Sequence, residues 1–300
     1  MLIPFQQLLD LPATLESGQA FRWKRLDDSS SGGDGWYEGV IFNNVVRLRH
    51  AAEGIEFRCG PDEESAMAPL VADYLRLSDD LEAIYSSINM DERIGSAIDR
   101  FRGLRLIRQE PWECLVSFIC SANSNIRRIS TNVEDISKSF GRPIAFDGRE
   151  RHAFPSPQEL AEAGEGRLRE LGLGFRAKYV APVARMVADG EVDLFALREA
   201  SYNDALEALI ALPGVGDKVA NCVMLFSLEK MEAFPIDVWV DRALRDWYLD
   251  RLDANGADAS GKVTKKGMRP WAQGYFEAYA GYANQYLFHD RRLQGRATAS

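Results

Sequence analysis

The stretch from Tyr202 to Tyr248, YNDALEALIALPGVGDKVANCVMLFSLEKMEAFPIDVWVDRALRDWY, constrains this chain more than any other. Apolar residues at spacings of three and four predict a helix that ends near Leu212. A tight turn follows, LPGVGDK, punctuated by Pro213, Gly214 and Gly216, and leads directly into a second helix. Two glycines so close point to backbone that takes positive φ or approaches another group closely. The amide hydrogens that open the second helix lack partners within it, which suits a phosphate oxygen. The arrangement is helix, hairpin, helix, at about residues 202–228. Taken alone it is equally a packing unit with no ligand.

Two residues in this stretch carry chemistry. Lys218 stands at the mouth of the second helix and heads an apolar stripe with Cys222, Leu225 and Phe226 one and two turns on. Burial disfavours a charged lysine, and a neutral amine is a competent nucleophile for Schiff-base formation. The positive end of a helix dipole is also a poor place for a lysine that serves stability alone. Asp237 comes nineteen residues later, after FPI and before the helical VWVDRALRDWY, where it reads as an N-cap. A chain that runs helix, reversal, helix start can bring this carboxylate back beside Lys218, where it would assist proton transfer and stabilise developing positive charge. A solvated lysine and a plain helix cap are the alternative readings of these two positions.

The remainder predicts an α+β protein. Up to about residue 104, FRWKRL, WYEGVIFNNVVRLRH and GIEFRCG are short, aromatic and β-branched, separated by the turn signals SSSGGDG, AAEG and GPDEES. They predict a small antiparallel sheet, followed by helices around Glu64–Arg76 and Asp79–Ser87. From Glu92 the helical period takes over in ERIGSAIDRF, PWECLVSFICSA, NIRRISTNVEDISKSF, RAKYVAPVARMVAD and YNDALEALIAL. Pro111 suits a first helical turn. GRPIAFDG, FPSPQ and LGLGF read as breaks, and the closing GRATAS as a frayed tail. A small amino-terminal α+β domain, 1–104, thus precedes a larger all-helical one, 105–300.

Charge and composition set limits. Net charge is −9, which counts against a polyanionic partner, although a local basic face survives on many acidic proteins. Cys59, Cys114, Cys120 and Cys222 are scattered, without the grouping that an iron–sulfur cluster needs, and read as buried thiols. His50, His152 and His289 have no zinc-like spacing, so neither a catalytic metal nor a cofactor is expected. No apolar run approaches the roughly 18–20 residues of a membrane span, and the first residues lack the features of a secretion signal. The expected location is the cytoplasm, close to the nucleoid in a prokaryote, or the nucleus in a eukaryote.

LPGVGDKVANC followed by PIDV resembles the helix-hairpin-helix DNA glycosylase superfamily. The resemblance is closer to the eukaryote-type 8-oxoguanine DNA glycosylase/lyase family and covers most of the chain. It is carried by SGQAFRW at 17–23, LRLIRQEPWECLVSFICSANSNIRRI at 104–129, LGLGFRAKYV at 171–180, the hairpin segment, and YAGYANQYLF at 279–288, all in the right order. It implies that the partner is duplex DNA containing an oxidised guanine, and that the protein acts as a monomer. Lys218 would attack the sugar C1′ of a flipped-out nucleotide, expel the base and pass to strand cleavage through a Schiff base, with Asp237 stabilising the transition state. The base would lie between the Cys222 sulfur and the Phe288 ring, with Pro235 beside it. The Gly18 carbonyl would accept from the N7–H that only the oxidised guanine carries.

The same resemblance assigns further contacts. Asn284 would read the Watson–Crick edge of the base, where the family usually has glutamine, and Gln285 next to it points differently along a helix. Asn123 would fill the space left by the flipped nucleotide and, with Arg128 and Arg176, read the widowed cytosine. Asn125 belongs to the same DNA-contacting set, and Phe175 would act as an aromatic wedge. Amides of Gly214, Gly216 and Val219 would meet phosphate, and carbonyls of Ile210, Leu212 and Val215 would hold a structural monovalent or divalent cation. Trp239 stands where the family often has a phosphate-contacting histidine, leaving an indole N–H as donor. The competing expectations are a superfamily glycosylase for another damaged base, and a catalytically weak helix-hairpin-helix DNA-binding protein.

Overall fold

The computed structural model describes residues 1–26, 35–255 and 263–297. Its amino-terminal part holds a five-stranded antiparallel sheet, made of β1 (Leu2–Pro4), β2 (Lys24–Arg25), β3 (Tyr37–Ile41), β4 (Asn44–Ala51) and β5 (Gly54–Gly60), in the order β1-β5-β4-β3-β2. The segment WYEGVIFNNVVRLRH is a hairpin: Ile41 pairs with Asn44, and Phe42 and Asn43 form the two-residue turn with φ of 48° and 61°. Positive φ at both turn positions matches the twist of the flanking strands. Val46, Leu48, Ile55 and Phe57 bury one sheet face with Met67, Val71 and Tyr74 of α2 (Glu64–Tyr74) and with α1 (Leu11–Glu16). SSSGGDG lies largely outside the described residues.

The second part is helical: α3 (Leu81–Ile88), α4 (Glu92–Arg100), α5 (Pro111–Cys120), α6 (Ile126–Phe140), α7 (Pro157–Leu168), α8 (Ala177–Ala188), α9 (Ala196–Glu199), α10 (Tyr202–Ile210), α11 (Asp217–Ser227), α12 (Val238–Asn255), α13 (Lys265–Phe276) and α14 (Ala280–Ala297). Pro111 is the first helical residue of α5, the position that suits a proline. α5 and α11 pack against each other at the centre, where Phe118 stacks on Phe226 at 5.6 Å. Arg105, fully buried, joins the two parts by donating to the carbonyls of Leu8 (2.9 Å), Arg76 and Asp79. A charge buried this deeply persists because it is hydrogen-bonded on several sides.

Three expectations need correction. GRPIAFDG is not merely a break: β6 (Pro143–Phe146) and β7 (Arg149–His152) form a hairpin, and Ile144 and Ala153 pack on Val40 and Val45 of the amino-terminal sheet. Burial against a distant sheet, rather than alternation within four residues, orders these short strands. FPSPQ opens a helix that the break signals hid, with Ser156 and Glu159 closing a capping box at the start of α7. The tail is not frayed throughout, because α14 continues to Ala297, with Leu287 and Arg292 buried on its inner face.

Candidate active site

α10 and α11 form the hairpin that the sequence predicts. Gly214 takes φ of +77°, and a Cβ there would fall 2.4 Å from Cγ of Tyr179, so the turn packs directly against Tyr179. At Gly216 nothing lies within 4 Å of a would-be Cβ, which leaves the α11 N-terminus open to an approaching group. Gly214 and Gly216 are exposed, and Val219 is buried just beyond them. Asn221, fully buried on α11, ties the unit together. Its amide donates to Asp217, and its Oδ1 accepts from the Tyr202 hydroxyl at 2.8 Å and the Phe234 N–H at 3.3 Å. One side chain thus fixes α10, α11 and the segment running into Pro235 and Asp237.

α11 delivers Lys218 into a cleft of about 590 Å³. Its Nζ donates to Ser121 Oγ at 2.9 Å and lies 5.1 Å from the Phe118 ring centre, both groups belonging to the end of α5. Ser121 Oγ in turn donates to the Phe118 carbonyl at 2.6 Å, so its lone pairs face the amine. Nothing in the sequence singles out Ser121 or Phe118. The helical pattern of PWECLVSFICSA marks them as helix residues without saying which face meets the lysine.

Asp237 lines the same cleft, and one carboxylate oxygen accepts from the N–H groups of Trp239 and Val240, both at 2.8 Å. It therefore caps α12, and the two readings of this residue are compatible. Burial raises its carboxyl above the usual aspartate range, while the capping amides and Lys218 pull the other way. Lys218 and Asp237 share the cleft without an ion-pair contact. Cys222, one turn after Lys218, is buried, and burial pushes its thiol up to about 11 despite the neighbouring lysine, so it stays neutral.

The far wall comes from α14 and the turn after α1. Asn284, Phe288 and Gly18 all line the cleft. Asn284 Nδ2 donates to the Pro235 carbonyl at 2.9 Å, which fixes the orientation of the amide, and Gln285 donates to Ser17 O at 3.3 Å. Gly18 has φ of +83°, and a Cβ there would meet Ile126 at 2.7 Å.

The residues that the resemblance assigns to the opposite strand cluster at the rim. Asn123 is exposed with φ of +48°, and Asn125 caps α6 by accepting the Arg128 N–H at 2.9 Å. Arg128 is exposed and donates to Gly172 O at 3.1 Å. Arg176, only 4% exposed, braces the loop after α5: its fork holds the carbonyls of Ala122 and Asn123. Phe175 is 41% exposed beside it, beneath the Arg176 guanidinium at 4.7 Å. Trp239 lies against Gly295 of α14, where a Cβ would fall 2.4 Å from its ring, with Arg242 over its face at 5.1 Å. The Leu212 carbonyl accepts the Val215 N–H at 3.1 Å, and no backbone N–H among the described residues donates to the carbonyls of Ile210 and Val215.

All four cysteines are buried and unpaired with one another. No helix among the described residues is long and apolar enough to cross a membrane.

Both parts of the chain match families of DNA repair proteins. Residues 2–115 match the model of the 8-oxoguanine DNA glycosylase N-terminal domain, and residues 116–273 that of the HhH-GPD superfamily of base excision DNA repair proteins. The chain is 35% identical to an N-glycosylase/DNA lyase of Arabidopsis thaliana over 93% of its own length and 76% of the relative's. It is 34% identical to the N-glycosylase/DNA lyase of Saccharomyces cerevisiae over 80% of its length and 69% of the relative's. Among solved structures, the Clostridium acetobutylicum 8-oxoguanine glycosylase/lyase bound to double-stranded DNA with cytosine opposite 8-oxoguanine superimposes with a TM-score of 0.85. It has 30% identity and 98% coverage of both chains. A structure of MBOgg1 with a low-affinity DNA ligand gives a TM-score of 0.86 at 34% identity, covering 96% of this chain and 93% of that one.

Proposed function

Because the chain belongs to the 8-oxoguanine DNA glycosylase family of helix-hairpin-helix repair proteins, we propose that it excises 8-oxoguanine paired with cytosine from duplex DNA and cleaves the resulting abasic site. The observation that carries the reading is Lys218 at the head of α11, oriented by Ser121 into a cleft that also holds Asp237 and Cys222.

The Lys218 amine attacks C1′ of the flipped nucleotide as the N-glycosidic bond breaks, and the electron pair of that bond leaves with the base, which takes up a proton. The amine loses a proton, the sugar ring opens and a Schiff base forms. Loss of a C2′ proton then expels the 3′ phosphate. The Asp237 carboxylate stabilises positive charge on the sugar in the first step and exchanges protons in the later ones. Its raised affinity for protons, caused by burial, suits the proton exchange.

The base enters between Cys222 and Phe288. A neutral, polarisable thiol presents an apolar face to the ring and does not compete with Lys218 as nucleophile. With Asn284 Nδ2 held by Pro235 O, the Asn284 Oδ1 is the group left for the base, and it accepts from the N–H donors of a guanine-type edge. Gly18 contributes its carbonyl to the N7–H. Gly214, Gly216 and Val219 offer amides to the phosphates, while Asn123, Asn125, Arg128, Phe175, Arg176 and Trp239 meet the kinked strands.

The amine supplies the nucleophile, so the chemistry needs no cofactor. The neutral carbonyls of Ile210, Leu212 and Val215 suit a structural cation that would stiffen the hairpin. The enzyme acts as a monomer where the DNA is, at the nucleoid or in the nucleus. The test is release of free 8-oxoguanine, measured by chromatography, from a duplex bearing one lesion opposite cytosine. Release from that duplex, and none from one bearing an alkylated adenine, is the expected result. The reverse pattern would contradict the proposal.

A further inference from the structure

Lys218 and Asp237 account for bond breaking, and the resemblance accounts for the groups that touch the base. Neither accounts for Arg292. It stands two turns beyond Asn284 and one beyond Phe288 on α14, so the three side chains form a single stripe facing the cleft. Its side chain is 95% buried, and a guanidinium is placed so only at a cost that something must offset. One side of the group lies over the Phe288 ring, at 5.6 Å from its centre. Nη2 donates to the Glu16 carbonyl at 3.0 Å and meets His289 Nδ1 at 3.1 Å. Nη1 lies 3.7 Å from where a Cβ on Gly18 would be. Arg292 therefore touches both walls of the base pocket, the aromatic wall on α14 and the Glu16–Gly18 turn after α1, which are 276 residues apart across the Arg292–Glu16 bond.

We propose that Arg292 is a positioning residue for base recognition: it clamps Phe288 and the Gly18 turn at the spacing that admits one oxidised purine ring. The planar fork is what the task needs. One face of the guanidinium attracts the π-system of Phe288 while its edge donates to backbone, and an ammonium serves only one of these at a time. The clamp acts on base recognition and leaves the Schiff-base machinery alone, because the Arg292 hydrogen bonds go to Glu16 and His289, away from Lys218 and Asp237. This rests on the glycosylase reading, and the two are separable by substrate.

The experiment compares wild type, Arg292→Met and Arg292→Lys on two duplexes under single-turnover conditions. One carries 8-oxoguanine opposite cytosine and the other a preformed abasic site opposite cytosine, which needs no base pocket. Arg292→Met is expected to slow base release about 10-fold or more, since a wall displaced by about 1 Å costs up to about 100-fold. Cleavage of the abasic duplex should stay within about 2-fold of wild type, the ordinary scatter when no transition-state contact is removed. Arg292→Lys should fall between, again only on the lesion. It also keeps the test open if Arg292→Met does not fold, which a thermal melt will show. Equal losses on both duplexes in folded variants, or no loss on either, would overturn the clamp. A wild type that cleaves abasic sites and releases no 8-oxoguanine would refute the glycosylase reading, and with it the pocket assigned to Arg292.

Discussion

The hairpin turn offers a prediction in which stability and DNA binding separate between two glycines. Gly214→Ala forces a side chain into φ of +77° and sets its Cβ 2.4 Å from Cγ and 2.6 Å from Cβ of Tyr179. Left-handed backbone costs an ordinary residue about 1–2 kcal/mol, and overpacking against a fixed ring adds about 1–3 kcal/mol. The variant should lose roughly 2–5 kcal/mol, less whatever Tyr179 recovers by rotating away. Gly216→Ala differs in both respects: φ is −99° and no atom lies within 4 Å of the new methyl group. The poorer N-cap and the stiffer unfolded chain nearly cancel, so its stability should stay within about 0.5 kcal/mol of wild type. Yet the methyl group stands where a phosphate would approach the α11 amides, so affinity for a duplex carrying an abasic-site analogue should drop about 10-fold. Thermal melts and fluorescence anisotropy read the two effects. A Gly214→Ala protein that melts with wild type would refute the steric argument. A Gly216→Ala protein that binds with wild-type affinity would refute the phosphate assignment.

Two further predictions concern half-buried carboxylates. Asp237→Asn keeps an oxygen to cap α12, so helix and fold survive, while base release should fall about 100- to 1,000-fold as the charge is lost. Burial raises the folded-state carboxyl above its unfolded value, so ionisation opposes folding at neutral pH, and the asparagine variant should melt no lower than wild type at pH 7. Glu113 is pushed from 4.5 up to about 7, chiefly by burial, with Arg22 at 3.6 Å opposing the rise. A raised carboxyl stabilises the fold fully below its unfolded value and loses that contribution as pH climbs through about 7. With 22% of this side chain exposed, the loss is on the order of 1 kcal/mol. Glu113→Gln should flatten the melting temperature between pH 5 and 8, as measured by calorimetry, and an unchanged slope would contradict the assignment.

Much of this was legible in the sequence, for identifiable reasons. The hairpin is local: Pro213, Gly214 and the helical spacing on either side suffice to predict it, and Asp237 announces itself as a cap from its neighbours. Lys218 and Cys222 sit one turn apart, so their shared face follows from helix geometry alone. What was hidden is what depends on distant partners. The β6–β7 hairpin is ordered by Val40 and Val45, about a hundred residues earlier. That Arg176 also holds the carbonyls of Ala122 and Asn123 emerges only when those residues fold onto it. Ser121 acquires its role only when α5 packs on α11, and Arg292 only when α14 meets the turn after α1. Charged residues among these were the least visible, because burial of a charge is a tertiary property that no local pattern encodes.

The central claim is that Lys218 forms a covalent link to the sugar of the excised nucleotide. Borohydride reduces a Schiff base to a permanent bond, so trapping on a duplex with 8-oxoguanine opposite cytosine, with wild type and Lys218→Gln side by side, tests it most directly. A cross-linked protein–DNA band in the wild type that disappears in the folded variant is the predicted result. A band that persists without Lys218, or none from a wild type that nonetheless releases the base, would contradict it.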